Sequence, residues 1–141
     1  MHKTKNILLV TNSTTEEEVA LIKAALAASD MDIQLNLVHV IPSLPTCYFN
    51  IPSTVLLAER YYEEAEKALS SVGQILNVTK DNQWLITGRI KNEVFRLARQ
   101  LGAEFILASK TNLSELYKSL QNSRKDRHLT LIQNLNTLAN S

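Results

Sequence analysis

Short apolar runs alternate along the chain with longer segments of helical periodicity, and this alternation limits the possible folds most strongly. The apolar runs are KNILLVT (5–11), DIQLNLVHV (32–40), NQWLIT (82–87) and the stretch 104–108. Each suits a buried strand, and a helix-like segment separates each from the next. Strands that alternate with helices pair in parallel through right-handed crossovers. The sequence therefore predicts one α/β domain, residues 1–141, in which helices cover both faces of a mostly parallel sheet.

Cap residues predict where the first three helices begin and end. Ser13, Thr14 or Thr15 can cap the first helix, and the acids at 16–18 favour its positive end. A long helix is predicted near 53–77, capped by Ser53. Its predicted buried face consists of Leu57, Tyr61, Ala65, Ala68, Leu69 and Val72. Gly102 is predicted to end the third helix because glycine adopts the left-handed conformation at low cost.

The last thirty residues give weaker patterns. Asn112 with Glu115, and Ser123 with Asp126, each have the spacing of a capping box and predict two further helical turns. The final segment NLNTLANS is polar but contains two leucines. It is the predicted fifth strand, at the edge of the sheet.

Composition excludes several classes of protein. The single cysteine, Cys47, excludes an internal disulfide and a multi-cysteine metal site. The N-terminal apolar run is too short for a signal peptide or a membrane span, so we expect a cytoplasmic protein without membrane contact. A net charge of +1 gives no overall attraction to nucleic acid. The charge is uneven, because residues 1–66 carry a net −5 and residues 67–141 a net +6.

Three long segments together resemble the universal stress protein family, in its UspA-like form. NILLVTNSTTEEEVALIKAAL is similar to the opening strand, turn and helix of that family, and LVHV matches the end of its second strand. GRIKNEVFRLARQLGAEFILAS is similar to the stretch that leads into its fourth strand. The resemblance covers nearly the whole chain. It implies a three-layer α/β/α fold with a five-stranded, Rossmann-like sheet, of the adenine nucleotide alpha hydrolase type, and a homodimer.

The resemblance also places a nucleotide site, and this chain departs from it. In members that bind ATP, three glycines and a hydroxyl residue follow the fourth strand; those positions fall on Ser109, Asn112, Asn122 and Ser123. The family's acidic residue after the first strand falls on Asn12, and its main-chain contact to adenine falls near Val40. Glycine lets a backbone approach phosphate closely, and a carboxylate is a ligand that Mg²⁺ prefers. We therefore expect a degenerate site with no cofactor, although asparagine tolerates positive φ and could preserve the loop shape at 112 and 122.

Two functions follow from these residues. The first is a non-enzymatic stress-response protein that acts as a homodimer, joined through the C-terminal edge at 134–140, and through contacts with other proteins. The alternative is an ATP or AMP sensor, with or without slow hydrolysis, that uses a modified phosphate loop.

The other residues with reactive or aromatic side chains do not indicate a catalytic site. His39 lies in an apolar strand and is predicted to be structural, and His128 has no evident acid or nucleophile partner. Cys47 lacks an activating neighbour. Trp84 is predicted to pack in the third strand. The aromatic pair at 48–49 could cover the sheet end, pack on a partner subunit or pack on its own helix.

Overall fold

A computed structural model describes residues 4–44, 50–126 and 128–136. Five parallel strands form one sheet in the order β3-β2-β1-β4-β5. They are β1 (Lys5–Val10), β2 (Ile33–Ile41), β3 (Gln83–Thr87), β4 (Phe105–Leu107) and β5 (Thr130–Ile132). The α-helices are α1 (Glu16–Ala28), α2 (Pro52–Leu76), α3 (Ile90–Leu101) and α4 (Lys110–Gln121), and a 3₁₀ turn covers Lys80–Asn82. The predicted fold class is confirmed.

The core has two halves, one on each face of the sheet. Residues 7, 9, 35 and 37 point to the face that α1 and α2 cover. Residues 8, 10, 38 and 40 point to the face that α3 and α4 cover. Because β1 and β2 are buried on both faces, they carry the continuous apolar runs that predicted them. No helix among the described residues has the length and apolar character needed to cross a membrane.

Two of the predicted helix ends are confirmed. The Thr15 hydroxyl oxygen accepts a hydrogen bond from the Glu18 N–H at 3.1 Å, and the Thr15 N–H donates to the Glu18 carboxylate, so the two form a capping box. Gly102 ends α3 with a φ of 66°.

Two predictions for α2 are wrong. Ser53 does not cap the helix, because Ile51 occupies the cap position and Pro52 starts the helix. Proline suits that first position because its N–H would have no partner within the helix. Leu57 is exposed rather than buried. The buried face consists of Ala65, Leu69, Val72, Gly73 and Leu76, all in the second half of the helix.

The C-terminal third also differs from the prediction. Asn112 is the third residue of α4, and Ser109 takes the cap position. Residues 123 to 126 form no helix; the Ser123 hydroxyl instead donates to the Asp126 carboxylate at 2.9 Å. The fifth strand is Thr130–Ile132 and lies before the predicted edge. Residues 134–136 are not in a strand, and residues 137–141 lie outside the described part of the chain.

Candidate functional site

A cleft of about 1180 Å³ opens at the carboxyl ends of the strands. The turn after β1, the end of β2, the N-terminus of α3 and one face of α4 line it. This is the place where parallel α/β sheets bind ligands, because the strand order reverses there and leaves a crevice. Three of the six predicted site residues line this cleft: Asn12, Val40 and Asn122.

The side chain of Asn12 pairs with the main chain of Val40 in both directions. Its Nδ2 donates to the Val40 carbonyl oxygen at 2.8 Å, and its Oδ1 accepts from the Val40 N–H at 2.9 Å. This double pairing fixes the orientation of the amide, since only one orientation satisfies both bonds. The Asn12 side chain therefore extends the ladder between β1 and β2 beyond the Thr11 N–H, which donates to Val38 O.

Asn112 connects the start of α4 to the turn after β1. Its Nδ2 donates to the Asn12 carbonyl oxygen at 2.8 Å and lies 3.3 Å from the Ser109 hydroxyl oxygen. Ser109 is buried and lines a second, smaller cavity of about 310 Å³ on the α1 side of the sheet, where Lys110 also lies. A glycine at position 112 would leave open space between the turn after β1 and the start of α4. The side chain of Asn112 fills that space instead.

The expectation that Asn112 and Asn122 keep a glycine-like loop shape is wrong. Asn112 is helical, and Asn122 ends α4 with a φ of −94°. Among the described residues other than glycine, only Ser13 and Asn77 have a positive φ. Neither predicted loop position therefore uses the conformation that would call for glycine.

Ser123 belongs to a part-buried polar cluster around Asp126 and not to the lining of the cleft. The Asp126 carboxylate, whose side chain is only 3% exposed, accepts from Ser123 and from Arg99 Nη1 at 2.8 and 2.9 Å. Arg99 lies on α3, so the cluster joins that helix to the turn before β5. The Ser123–Asp126 spacing that resembled a capping box arises from this cluster.

Positive side chains border the cleft on two sides. Arg89 and Lys91 lie at the start of α3, and Lys118 lies on α4, with Glu115 one turn earlier. Four bases lie in or just after α4: Lys118 lines this cleft, Lys110 lines the smaller cavity, and Arg124 and Lys125 line neither. The sequence analysis missed Arg89 and Lys91. Their position directly after β3 and Gly88 was the available signal, because residues at the carboxyl ends of strands meet at this edge.

His39 has a structural environment, on the opposite face of the sheet from Val40. Its Nδ1 lies 2.8 Å from the Thr11 hydroxyl, which also donates to the Val38 carbonyl at 3.1 Å. Both bonds form when the imidazole donates from Nδ1. Burial lowers the pKa of His39 below its ordinary value of 6.5, which favours the neutral ring.

The other residues singled out in the sequence lie away from the cleft or outside the described part of the chain. No group of three or more histidine, cysteine, aspartate or glutamate residues within them could hold a metal ion. His128 is exposed in the turn before β5, away from the cleft lining. Trp84 packs against the core on the α3 side, as predicted. Cys47 and the aromatic pair at 48–49 lie outside the described residues.

The residues at the cleft do not fit ATP held as the family resemblance implies. The Val40 N–H, a single donor, is already bonded to Asn12, so an adenine ring would have to displace that side chain. Asn12 also presents an amide where a carboxylate would approach a metal ion. The side chain of Asn112 lies between the two loops where phosphate would need open backbone.

Comparison with known proteins gives one consistent result. The chain is 30% identical over 106 residues to universal stress protein A homolog 1 of Coxiella burnetii (strain RSA 493 / Nine Mile phase I), covering 73% of this chain and 74% of that protein. A universal stress protein family structure from Burkholderia pseudomallei superposes with a TM-score of 0.61 at 21% identity, covering 91% and 93% of the two chains. The UspA structure from Lactobacillus plantarum gives 0.64 at 16% identity, covering 91% and 95%. No family model matches the sequence.

Proposed function

Because this chain belongs to the universal stress protein family, we propose that it is a non-enzymatic member that acts through protein contacts as a homodimer and does not bind ATP. The pairing of Asn12 with Val40 is the observation that carries the lack of ATP binding, whereas the homodimer and the protein contacts are what the family resemblance implies. The pairing joins two groups that a nucleotide would otherwise contact, and it satisfies both of them internally.

Displacing that pairing would cost free energy. A buried donor or acceptor that loses its partner costs about 1–3 kcal/mol, and Val40 is buried. Adenine would restore bonds to Val40 only by leaving the Asn12 amide to find new partners. Hydrogen bonds that only replace existing hydrogen bonds add little binding free energy, so adenine would bind weakly.

The alternative, a sensor of ATP or AMP, has one observation in its favour. Arg89, Lys91 and Lys118 border a cleft large enough for a nucleotide. Drug-sized ligands occupy pockets of about 300–1,000 Å³. All three bases are exposed at the rim, however, where charges are screened by water and salt. Screened attraction by exposed side chains does not distinguish a nucleotide from other anions.

Restoring the family residues tests the proposal. We expect titration calorimetry with ATP·Mg²⁺ to give no binding heat for the native protein. The variant Asn12→Asp/Asn112→Gly/Asn122→Gly should gain measurable affinity. An aspartate cannot donate to the Val40 carbonyl oxygen, so it holds Val40 by one bond instead of two and is easier to displace; the variant also adds a carboxylate and opens the loop. Asn92→Asp is a matched control, since it adds a carboxylate to the same cleft without touching Val40.

Native protein that binds ATP·Mg²⁺ with micromolar affinity would contradict the proposal and support the sensor. A triple variant that folds but binds no better than Asn92→Asp would show that the three asparagines do not block nucleotide, and would remove the stated reason for the proposal.

A further inference from the structure

Helix α2 carries an apolar seam that runs along its whole length. Eight apolar residues recur at alternating intervals of four and three from the cap residue onward. They are Ile51, Val55, Ala58, Tyr62, Ala65, Leu69, Val72 and Leu76. This is the seven-residue repeat that lets one helix pack along another element, and no position in it is polar.

Only the second half of the seam is covered by the sheet. Ala65, Leu69, Val72 and Leu76 are buried against the face that includes Leu35 and Leu37 of β2. Eleven residues of helix from 65 to 76 rise about 16 Å, and the strand from Leu35 to Ile41 spans about 20 Å. The buried part of the helix is thus about as long as the strand it covers, and the preceding turns, residues 52–64, contribute no buried residue.

The first half of the seam lies in solvent. Ile51 is 46% exposed, Val55 38% and Tyr62 52%. None of residues 52–64, which rise about 20 Å, is buried. Contiguous apolar surface of this kind marks an interaction site.

We propose that a second copy of this chain covers the first half of the seam, in an antiparallel pair of α2 helices. The contact would be the structural basis of the homodimer proposed above, on which it rests. It takes the place of the edge at 134–140 that the sequence analysis expected, where residues 134–136 form no strand. A twofold axis between residues 56 and 57 places Ile51 opposite Tyr62 of the other copy and Val55 opposite Ala58. The small Ala58 lets the two helices approach closely beside the axis, and each large side chain meets a complementary one.

The charges of α2 agree with this register. The positions that flank the seam in the first half are Pro52, Thr54, Glu59 and Tyr61, of which only Glu59 is charged. Antiparallel pairing brings Glu59 near Pro52 of the other copy, so no like charges meet. Arg60, Glu63 and Glu64 point away from the seam by their helical spacing. A net charge of +1 adds no appreciable repulsion between two copies.

The size of the contact predicts its strength. About three turns of one helix per copy, from Ile51 to Tyr62, offer less surface than the roughly 800 Å² per partner of a standard interface. The dimer should therefore be reversible, with a monomer fraction that rises on dilution through the micromolar range.

Sedimentation velocity over a concentration series tests the contact. Val55→Glu and Tyr62→Glu should each shift the midpoint of association to at least tenfold higher concentration. The matched control is Leu56→Glu. Leu56 adjoins Val55, is more exposed at 65% and points away from the seam, so this variant should leave the midpoint of association within twofold.

If all three variants weaken association equally, or none does while the native chain dimerises, this contact is wrong but the homodimer stands. A native chain that stays monomeric throughout contradicts both.

Cross-linking tests the register and does not depend on a destabilising variant. In a Cys47→Ser background, oxidation of mixed Ile51→Cys and Tyr62→Cys proteins should yield mainly the mixed dimer. Two Ile51 residues lie about 16 Å apart along an antiparallel pair and should not link. Efficient links between two Ile51→Cys chains would contradict the antiparallel register. A dimer that gives no mixed link would place the contact elsewhere.

Discussion

At the residue scale, Gly88 and Gly102 both have a positive φ but differ in their surroundings. A Cβ at Gly102 would meet nothing within 4 Å, whereas at Gly88, with φ 154°, it would lie 2.8 Å from Glu93 Cγ. We expect Gly102→Ala to lower the free energy of unfolding by about 1 kcal/mol, which is the backbone cost alone. Gly88→Ala should cost about 2–3 kcal/mol because Glu93 must also move. Urea denaturation measures both, and equal losses would contradict this explanation.

The half-buried imidazole of His39 should make the free energy of unfolding depend on pH. Burial lowers the pKa of the folded protein's imidazole below the ordinary value of 6.5. Protonation therefore costs more in the folded chain than in the unfolded chain. The stability that depends on a neutral His39 is fully present above about pH 6.5 and is lost as the pH falls from there through the lower folded-state pKa.

The free energy of unfolding should accordingly fall more steeply between pH 7 and pH 5 for the native protein than for His39→Gln. Glutamine can still donate to the Thr11 hydroxyl but does not titrate in this range. Parallel curves for the native protein and His39→Gln would exclude His39 as the source.

At the element scale, the Arg99–Asp126 ion pair holds α3 to the turn that precedes β5. The two sides of the pair differ in exposure, because the Arg99 side chain is 40% exposed and that of Asp126 is 3% exposed. Removing Arg99 leaves a buried carboxylate, whereas neutralising Asp126 leaves a cation that can reach water. Arg99→Met should cost about 3–5 kcal/mol, and Asp126→Asn about 1–2 kcal/mol.

Arg96→Met on the same helix is the control for that comparison. Arg96 is exposed and pairs with Glu93 one turn away, and an exposed pair of this kind contributes about 0–1 kcal/mol. Thermal or urea unfolding gives the three values. A loss for Asp126→Asn that equals or exceeds the loss for Arg99→Met would contradict the unequal burial argument.

The same elements show how far sequence reasoning extends. Local patterns predicted β1 to β4, a cap of α1 among residues 13–15 and the end of α3 at Gly102, because apolar periodicity and cap preferences are properties of neighbouring residues. They failed from Ser123 onward. There the carboxylate of Asp126 is paired with Arg99, 27 residues earlier, and β5 is a strand of three residues that is too short to show a period.

The candidate site shows the same limit. Family spacing placed Asn12, Val40 and Asn122 at one cleft, and strand topology explains why they meet. That Asn12 would bond Val40 in both directions depends on the register of β1 against β2 and on a turn whose Ser13 has a φ of 59°. Neither is visible in residue spacing. The sequence could predict that three of these residues gather at the cleft, but not that two of them satisfy each other's hydrogen bonds.

At the scale of the whole molecule, the uneven charge along the sequence becomes an uneven distribution of charge across the fold. The basic second part of the sequence supplies Arg89, Lys91 and Lys118 at the rim of the cleft, and the acidic first part supplies α1 and most of α2. Nonspecific attraction of anions to this rim should weaken as salt is added. The adenine contact that the family resemblance implies falls on the Val40 main chain, which Asn12 occupies.

The Val40 amide is therefore the most direct probe of the proposal that this protein does not bind ATP. Its ¹⁵N–¹H resonance and the Asn12 side-chain amide resonances can be followed by NMR while ATP·Mg²⁺ is added at physiological ionic strength. We predict that these signals stay in place, while the Arg89 and Lys91 amides shift slightly and without saturation. A Val40 signal that moves and saturates at micromolar nucleotide would contradict the claim that this member of the family does not bind ATP.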